Sequence, residues 1–330
     1  MLLLLLSCTQ DYELHEPVDV DPGDVTDCGF TLVDDTDDFY RYDCNPVFST
    51  SGEDWAPDIG STAFNVTNVM GHPFYQMWYV GTEGEGAWGV GYAVSSNGTD
   101  WEPHPANPLW TAPGGNGAWN KTQIDGLQVV WDDQNQTYMM IYQGYNIPKS
   151  IWMMGVSTSD DGVDWKHYDP PLDLATDGWC WPLGLELGPI TGYSGYLAGG
   201  NPKCEVYQLD AGGPDNWQTS STKVLGTGAN GEWDDTGVAS MDIEWLDGTA
   251  YLFYVGFGDW EVHDGYVSAK DIYLGWATSD DGNDWEKGGI IPLHNLDQPG
   301  MVSAVNANAV GKRIHIWLTW NDEHNANLMI

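Results

Sequence analysis

Three carboxylic side chains lie at or near the start of short apolar runs in different parts of the chain. They are Asp58, which follows Trp55-Ala56-Pro57, then Asp125 and Glu186. Hydrolysis by general acid–base catalysis usually needs one protonated carboxyl group for the leaving group and one ionised carboxylate that activates water or attacks the substrate. A third carboxylate nearby keeps the pKa of the acid high, because like charges disfavour a second ionisation. If the fold brings the three side chains together, we expect acid–base chemistry of this kind.

Other residues near the same runs are candidates for ligand binding. Asp242 is a further carboxylate, and Arg313 could hold a substrate hydroxyl or carboxylate. Both have a plainer interpretation: Asp242 as a polar residue at a strand end, and Arg313 as a surface or ion-paired residue. Tryptophans that precede the runs have apolar faces that can stack on sugar rings; they are Trp55, Trp119, Trp179, Trp181 and Trp233.

A repeated turn indicates how these residues are positioned. Thr158–Trp165 returns almost unchanged as Thr278–Trp285, in looser form as Ser95–Trp101, and faintly before Trp217. Each of the three clear copies follows a pair of apolar, strand-like runs. Repetition at this spacing predicts an array of similar supersecondary units. Because the turn recurs from unit to unit, we interpret its tryptophans as packing between units rather than as part of one asymmetric site.

The composition predicts an all-β fold. The chain has 19 tryptophans and 17 tyrosines, and short aromatic or β-branched runs alternate with Gly, Asn, Asp and Pro clusters. No segment of helical length has a clean 3.6-residue apolar period. The 330 residues fit a five-bladed β-propeller of about four strands per blade, over residues 28–330. The innermost strands of such a ring begin at one end of its channel.

The last repeat lacks outer strands of its own. In a propeller, strand from the other end of the chain often completes the last blade and covers its exposed edge. The segment between Cys28 and Cys44 is the natural candidate. We therefore expect the N-terminal segment to complete the fifth blade.

The charge of the chain limits its partners. Asp and Glu number 49 against 10 Lys and Arg, so the formal net charge is −39, which argues against nucleic acid and anionic lipid headgroups. No complete calcium-loop motif, phosphate loop or Ser-His-Asp arrangement is present. We expect no required cofactor, although a calcium ion in the central channel remains an alternative. The expected partner is an oligo- or polysaccharide, bound by a monomer.

The N-terminus and the cysteines indicate export. Residues 1–8 form a short apolar stretch whose Leu-Leu-Ser-Cys end resembles a bacterial lipoprotein signal, with Cys8 as the lipidation site. Residues 9–27 are acidic and have the composition of a flexible tether. Of the three pairings open to the other four cysteines, the local ones, Cys28 with Cys44 and Cys180 with Cys204, are plausible disulfides. We expect a cell-envelope lipoprotein, touching the membrane only through its lipid, or a secreted protein.

The segments around the three carboxylates resemble glycoside hydrolase family 43 and its five-bladed relatives in families 32, 62 and 68. That family commonly has an Asp-Pro segment, an Asp-Asp-Gly turn and Glu-Gly-Pro before a Tyr-Tyr-Leu strand. The resemblance implies that Asp125 orients and tunes the acid, that Glu186 is the general acid, and that Asp58 is the general base. The chain departs from the family in the reversed Pro57-Asp58 order, in Gly126 in place of proline, and in Leu187 within the Glu-Gly-Pro motif.

Three functions therefore remain open at this point. The first is a glycosidase that uses Asp58, Asp125 and Glu186. The second is a non-catalytic glycan-binding or surface-interaction propeller, favoured by the departures from the family motifs. The third is a sialidase-like enzyme, since the repeated turns resemble Asp-boxes. It ranks last, because sialidases need an arginine cluster and this chain has few basic residues.

Overall fold

The structure is a computed structural model, and it describes residues 28–33, 39–50, 55–82, 88–112, 123–133, 135–146, 151–168, 184–187, 193–199, 205–211, 217–263, 266–292, 301–321 and 326–329. The predicted lipidation site, the tether, Cys180 and Cys204 lie outside these residues. All regular elements in the described part are strands. No helix there is long and apolar enough to cross a membrane.

The strands form a hairpin and five larger sheets. The hairpin consists of β1 (Phe30–Leu32) and β2 (Tyr40–Tyr42). The first sheet contains β3 (Asp58–Val69), β4 (His72–Thr82), β5 (Gly89–Ser95), β6 (Glu102–Pro103) and β7 (Trp110–Thr111). The second contains β8 (Ile124–Asp132), β9 (Thr137–Asn146), β10 (Ile151–Ser159) and β11 (Lys166–His167).

The remaining three sheets repeat this order. The third contains β12 (Gly184–Leu187), β13 (Tyr193–Gly199), β14 (Glu205–Ala211) and β15 (Trp217–Leu225). The fourth contains β16 (Gly237–Leu246), β17 (Thr249–His263), β18 (Tyr266–Ser279) and β19 (Glu286–Ile291). The fifth contains β20 (Met301–Val310), β21 (Arg313–Asn321) and β22 (Ala326–Met329). Consecutive strands within these sheets pair antiparallel, apart from β7, which pairs with β5.

The first strands of the five sheets close into a ring. β3 contacts β8, β8 contacts β12, β12 contacts β16, β16 contacts β20, and β20 contacts β3. The sheets therefore extend outward from a common centre, which confirms the prediction of an all-β propeller. Large apolar side chains pack between neighbouring sheets; for example, Tyr138 and Met140 share a core with Trp78.

The N-terminal segment does not complete the fifth sheet as expected. Cys28 and Cys44 form the predicted disulfide, but among the described residues β1 and β2 pair only with each other. The outer side of β21 is already paired with β22, from the C-terminal run. The segment instead packs through side chains: the ring of Phe39 contacts the edge of Trp276, and Phe48 is buried against Tyr79.

The repeated turn is a network of local hydrogen bonds. In Ser159–Trp165, the backbone amides of Val163 and Asp164 donate to the Asp161 carboxylate, and the amide of Gly162 donates to the Ser159 hydroxyl. The copy at 279–285 repeats these contacts, and in the copy at 95–101 the side-chain oxygen of Asn97 takes the aspartate's place. The central residue of the turn must be glycine, because its φ is positive; at Gly162 it is +78°.

The same turns fasten one sheet to the next. The indole of Trp78 in β4 donates to the carbonyl of Gly162 in the second sheet at 2.7 Å. The indole of Trp317 in β21 donates to the carbonyl of Gly98 in the first sheet at 3.1 Å. Both tryptophans are 0% exposed. The contacts agree with the interpretation of the turns as scaffold, and the second one joins the last sheet to the first.

We predict that Trp317→Phe destabilises the ring at its closure. Phenylalanine keeps the ring stack with Phe64 but has no N–H for the Gly98 carbonyl, and it leaves space in a fully buried site. We expect a loss of about 2–4 kcal/mol in the free energy of unfolding, measured by urea denaturation. The matched control is Trp131→Phe, whose indole donates to Asp133 at the surface. Equal effects of the two changes would contradict the closure role.

The turn carboxylates predict acid sensitivity. Burial raises the pKa of Asp161, but hydrogen bonds from the amides of Asp164 and Val163 and from Ser159 outweigh it, so the pKa lies below its ordinary value of 3.8. Hydrogen bonds from the amides of Asp284 and Asn283 lower the pKa of Asp281. A lowered folded-state pKa contributes stability that is present above 3.8 and is lost as the pH falls through the folded-state value.

The test is the double variant Asp161→Asn, Asp281→Asn, which gives both turns the side chain that Asn97 supplies in the first copy. We expect its free energy of unfolding to change less than that of the wild type between about pH 6 and about pH 3, which lie above and below the ordinary pKa values of carboxyl groups. The control, Asp164→Asn with Asp284→Asn, makes the same change in net charge at exposed positions. A control that flattens the pH dependence as much as the test variant would show that net charge alone is responsible.

Candidate active site

The three predicted catalytic residues lie on three neighbouring first strands. Asp58 is the first residue of β3, Asp125 the second of β8, and Glu186 the third of β12. Asp58 and Asp125 are half-buried; for Glu186 the structure describes the backbone only, opposite Ser194. The fold thus places each residue where its strand begins, on consecutive members of the ring.

Irregular pairing shapes the starts of these strands. The register shifts between Ile59 and Thr62 in β3 and between Asp125 and Gln128 in β8. Similar shifts occur near the starts of β16 and β20. Extra residues of this kind bend a strand and re-aim its side chains, and they are frequent beside active sites. The shift in β8 directly follows Asp125, and the shift in β3 begins one residue after Asp58.

Gly126 explains one departure from the family motif. Its φ is +60°, in the left-handed region that glycine adopts readily. Proline is fixed near −65° and cannot take this conformation. The backbone after Asp125 therefore follows a course that an Asp-Pro sequence would not permit.

Asp125 holds the strand that carries Asp58. The backbone amide of Ser61 donates to Asp125 Oδ1 at 3.0 Å, and the amide of Leu127 donates to the Ser61 hydroxyl at 3.0 Å. Gly60 permits this approach, since a Cβ there would lie 3.3 Å from the same carboxylate oxygen. The first and second sheets are thus joined three residues after Asp58, and Asp125 has a positioning role toward that strand.

Further along the first strands, and on β9, lie polar side chains that the sequence did not single out. Asn306 donates to the hydroxyl of Thr62 at 2.9 Å. Gln128 donates to the carbonyl of Met241 at 3.5 Å, which links β8 to β16 although β12 lies between them in the ring. Gln143 lies opposite Asp125 in the pairing of β8 with β9. It is 3% exposed, and its amide nitrogen has no acceptor within the described part of the chain.

A simple signal in the sequence could have found some of these residues. Thr62 and Gln128 occupy the first regular register position after the irregularity in β3 and β8. Aligning the strand starts with each other would have placed them side by side. Gln143, by contrast, lies on β9, so only the register between β8 and β9 shows that it is a neighbour of Asp125.

Asp242 proves to be a link between sheets. It is 7% exposed, and its carboxylate accepts hydrogen bonds from the amides of Ala307 at 2.8 Å and Ile243 at 2.9 Å. Ser240 accepts from Val305 in the same way. Burial raises the pKa of Glu244, the next residue on this face, although the amides of Ala309 and Trp245 donate to it. The three contacts with β20 follow in sequence order, which indicates that the first strands run parallel.

Two of the predicted sugar-stacking tryptophans pack within their own sheets. Trp55 lies against the ring of Tyr79 and directly over Gly81, where even a Cβ atom would clash. Trp233 stacks on Tyr254 and lies over Gly256 in the same way. Because the arrangement repeats in two sheets, these two tryptophans have a packing role in the scaffold, and their contact with a substrate stays a prediction. Trp119, Trp179 and Trp181 lie outside the described residues.

Arg313 is not brought to the candidate site. It begins β21 and pairs with Val310, the last residue of β20. The start of β20 lies nine residues away, about 30 Å along the strand. Arg313 therefore lies at the opposite end of the ring from the strand starts, and its assignment to the same pocket was wrong. In the described residues, no group of three or more His, Cys, Asp or Glu side chains is arranged to hold a metal ion.

Comparison with known proteins supports the fold. No protein-family model and no curated protein matches the sequence. One solved structure with a similar fold is described as belonging to the GH130 family of mannoside phosphorylases, which contains glycoside hydrolases that target beta-1,2 mannosidic linkages in Candida mannan. Its sequence is 16% identical and its TM-score is 0.65; the match covers 91% of this chain and 95% of that one. A glycosyl hydrolase from Bacteroides ovatus is 16% identical with a TM-score of 0.62, covering 92% and 93%.

A thermostable family-43 glycoside hydrolase has the same fold. It is 13% identical, with a TM-score of 0.58, and the match covers 82% of this chain and 88% of that one. At such low identity the similarity establishes the architecture. The similarity confirms the propeller fold that the resemblance to family 43 implied.

The contact between Asp125 and Ser61 yields a prediction about stability. Asp125→Ala removes the acceptor for the Ser61 amide, and we expect a loss of about 1.5–3 kcal/mol in the free energy of unfolding. Asp125→Asn keeps an oxygen that can accept the same hydrogen bond, so a smaller loss is expected. Both are measured by urea denaturation at neutral pH. A wild-type stability for Asp125→Ala would show that the residue does not hold β3.

Proposed function

We propose that the protein is a glycoside hydrolase in which Asp58, Asp125 and Glu186 form the acid–base set. The observation that carries the proposal is their placement at the starts of three consecutive strands of the ring. The contact from Asp125 to Ser61 supports it, because this contact couples the strands of two candidate residues. The fold shared with glycoside hydrolases from two families supports it as well.

The proposed chemistry assigns a separate role to each carboxyl group. Glu186 donates a proton to the leaving oxygen, and Asp58 activates the attacking water. Asp125 has one oxygen at the Ser61 amide, and its negative charge favours the protonated form of a neighbouring carboxyl group. One residue then both holds β3 and keeps the acid ready to donate.

The proposed substrate is a glycan outside the cell. The related structures include proteins described as acting on mannosidic linkages, so β-1,2-linked mannosides belong in any substrate panel beside arabinan, xylan and fructan. The disulfide between Cys28 and Cys44 supports an oxidising compartment. The Leu-Leu-Ser-Cys sequence at residues 5–8 supports a lipid anchor at Cys8 in a bacterial cell envelope.

A non-catalytic glycan-binding propeller is the second candidate. The observation that favours it is Gly126, whose φ of +60° gives the backbone after Asp125 a different course from that of the family's Asp-Pro motif. A changed backbone at this point can displace Asp125 from a catalytic arrangement while leaving a glycan pocket in place. Binding without turnover would identify this case.

We predict that Glu186→Gln abolishes hydrolysis, because an amide cannot supply the proton. The purified protein is assayed on the polysaccharide panel and on aryl glycosides, with and without inorganic phosphate, so that phosphorolysis is detected as well. We expect a loss of at least about 100-fold in kcat/KM on natural linkages, the usual effect of removing a general acid. Glu102→Gln, at an exposed position in β6, is the control. Turnover that Glu186→Gln leaves intact would contradict the assignment.

A further inference from the structure

Gln143 is a buried side chain with an unused hydrogen-bond donor. It lies on β9, the second strand of its sheet, and is 3% exposed. Its amide nitrogen has no hydrogen-bond partner in the described part of the chain. A buried donor without an acceptor destabilises a protein through its lost hydration, and native structures contain few such groups. The presence of an amide at this position therefore needs a reason other than the stability of the fold.

Gln76 shows how the same side chain is accommodated in the first sheet. It also lies on a second strand, β4, and is also 3% exposed. Its nitrogen donates to the Tyr92 hydroxyl at 2.9 Å, and its oxygen accepts from the Asn65 amide and from the Tyr138 hydroxyl, both at 2.9 Å. A buried glutamine in this protein can thus have hydrogen bonds at both ends of its amide. The unpaired nitrogen of Gln143 is a property of its own position.

Asp125 is the strongest acceptor beside Gln143. The two residues are paired across β8 and β9, so their side chains share one face and their Cβ atoms lie about 4.5–5.5 Å apart. On the other side of Gln143, β10 supplies Met154, which is apolar and 4% exposed. Along β9, the neighbours on the same face are Ile141 and Tyr145. A tyrosine hydroxyl accepts hydrogen bonds less strongly than an ionised carboxylate does.

The second oxygen of Asp125 is available for a contact with Gln143. The Ser61 amide donates to Oδ1 at 3.0 Å and is the one donor to this carboxylate among the described residues. Each oxygen of a carboxylate can accept hydrogen bonds, which leaves Oδ2. Because the two residues are already paired across the strands, a change of the Gln143 rotamer would bring Nε2 toward Oδ2 without movement of the backbone. Catalytic hydrogen bonds often become short and well aligned only once substrate is bound.

We propose that Gln143 is a positioning residue of the catalytic set, whose Nε2 donates to Asp125 Oδ2 in the complex with substrate. Asp125 is then held between the Ser61 amide on one oxygen and Gln143 on the other, which fixes the rotation of its carboxylate. A fixed, ionised Asp125 favours the protonated form of the neighbouring acid, as its proposed role requires. This inference rests on the proposed function, and it adds a residue from a second strand to a set that comes from first strands.

The test replaces Gln143 with methionine, which is also unbranched and flexible but has no N–H. We expect kcat/KM to fall about tenfold or more, mainly through kcat, because the lost contact belongs to the reacting complex. We expect the urea midpoint of unfolding to equal or exceed that of the wild type, because a buried unpaired donor is removed. The matched control is Gln76→Met, which breaks the hydrogen bonds of Gln76. Its urea midpoint should fall, while kcat should change less than about twofold.

A second comparison isolates the contact with Asp125. If Asp125→Asn keeps its oxygen at the Ser61 amide, its nitrogen replaces Oδ2, and the acceptor for Gln143 is lost. In this background, Gln143→Met should therefore lower kcat/KM by less than about a further twofold. Aryl glycosides with good leaving groups, which need less help from the acid, keep these slow variants measurable. Additive losses from the two changes would contradict the contact.

The outcomes separate this inference from the proposed function. Hydrolysis by the wild type with unchanged kcat/KM in Gln143→Met would overturn the role of Gln143 alone. A urea midpoint that falls as far as that of Gln76→Met would do the same, because it would show a structural role. If the wild type hydrolyses none of the substrates, the proposed function fails, and calorimetric binding of the oligosaccharides replaces the assay. Weaker binding by Gln143→Met, but not in the Asp125→Asn background, would support the positioning role; unchanged binding, or no binding by the wild type, would overturn it.

Discussion

The ring depends on hydrogen bonds that the sheets cannot make within themselves. Each first strand pairs with a second strand on one side only, so the backbone amides on its other edge need acceptors elsewhere. Side chains of the neighbouring first strand supply several of them: Asp125 for Ser61, Ser61 for Leu127, and Asp242 for Ala307. The polar residues at the centre of this protein are therefore required for assembly, whatever chemistry they perform.

This requirement gives the central carboxylates two different characters. Asp242 is buried with hydrogen bonds from two backbone amides, so it serves the contact between β16 and β20. Asp125 lies nearer the start of its strand and is half-buried, and its contact with Ser61 involves one carboxylate oxygen. Position along the strand thus separates a carboxylate that holds sheets together from one that can also meet a ligand. In the sequence, these two aspartates looked alike.

Much of the fold could be predicted because the turn network is local. Ser159, Asp161 and Gly162 contact each other within a few residues, so their spacing survives as a visible repeat. The roles of Trp55 and Trp233 could not be predicted, since they depend on glycines brought opposite them by strand register. Arg313 was misplaced for another reason: alternation along a strand indicates the face of a residue but not the end of the ring at which it lies.

In the described residues, the fourth sheet differs from the first in the residue that follows the tryptophan before its first strand. Trp233 and Trp55 occupy equivalent positions over Gly256 and Gly81, but the next residue is Asp234 in one case and Ala56 in the other. A buried carboxylate needs compensation, and Tyr254 and Lys287 provide it. This network adds fixed polar contacts where the alanine of the first sheet has none, near the point where β17 and β18 continue to pair beyond the start of β16.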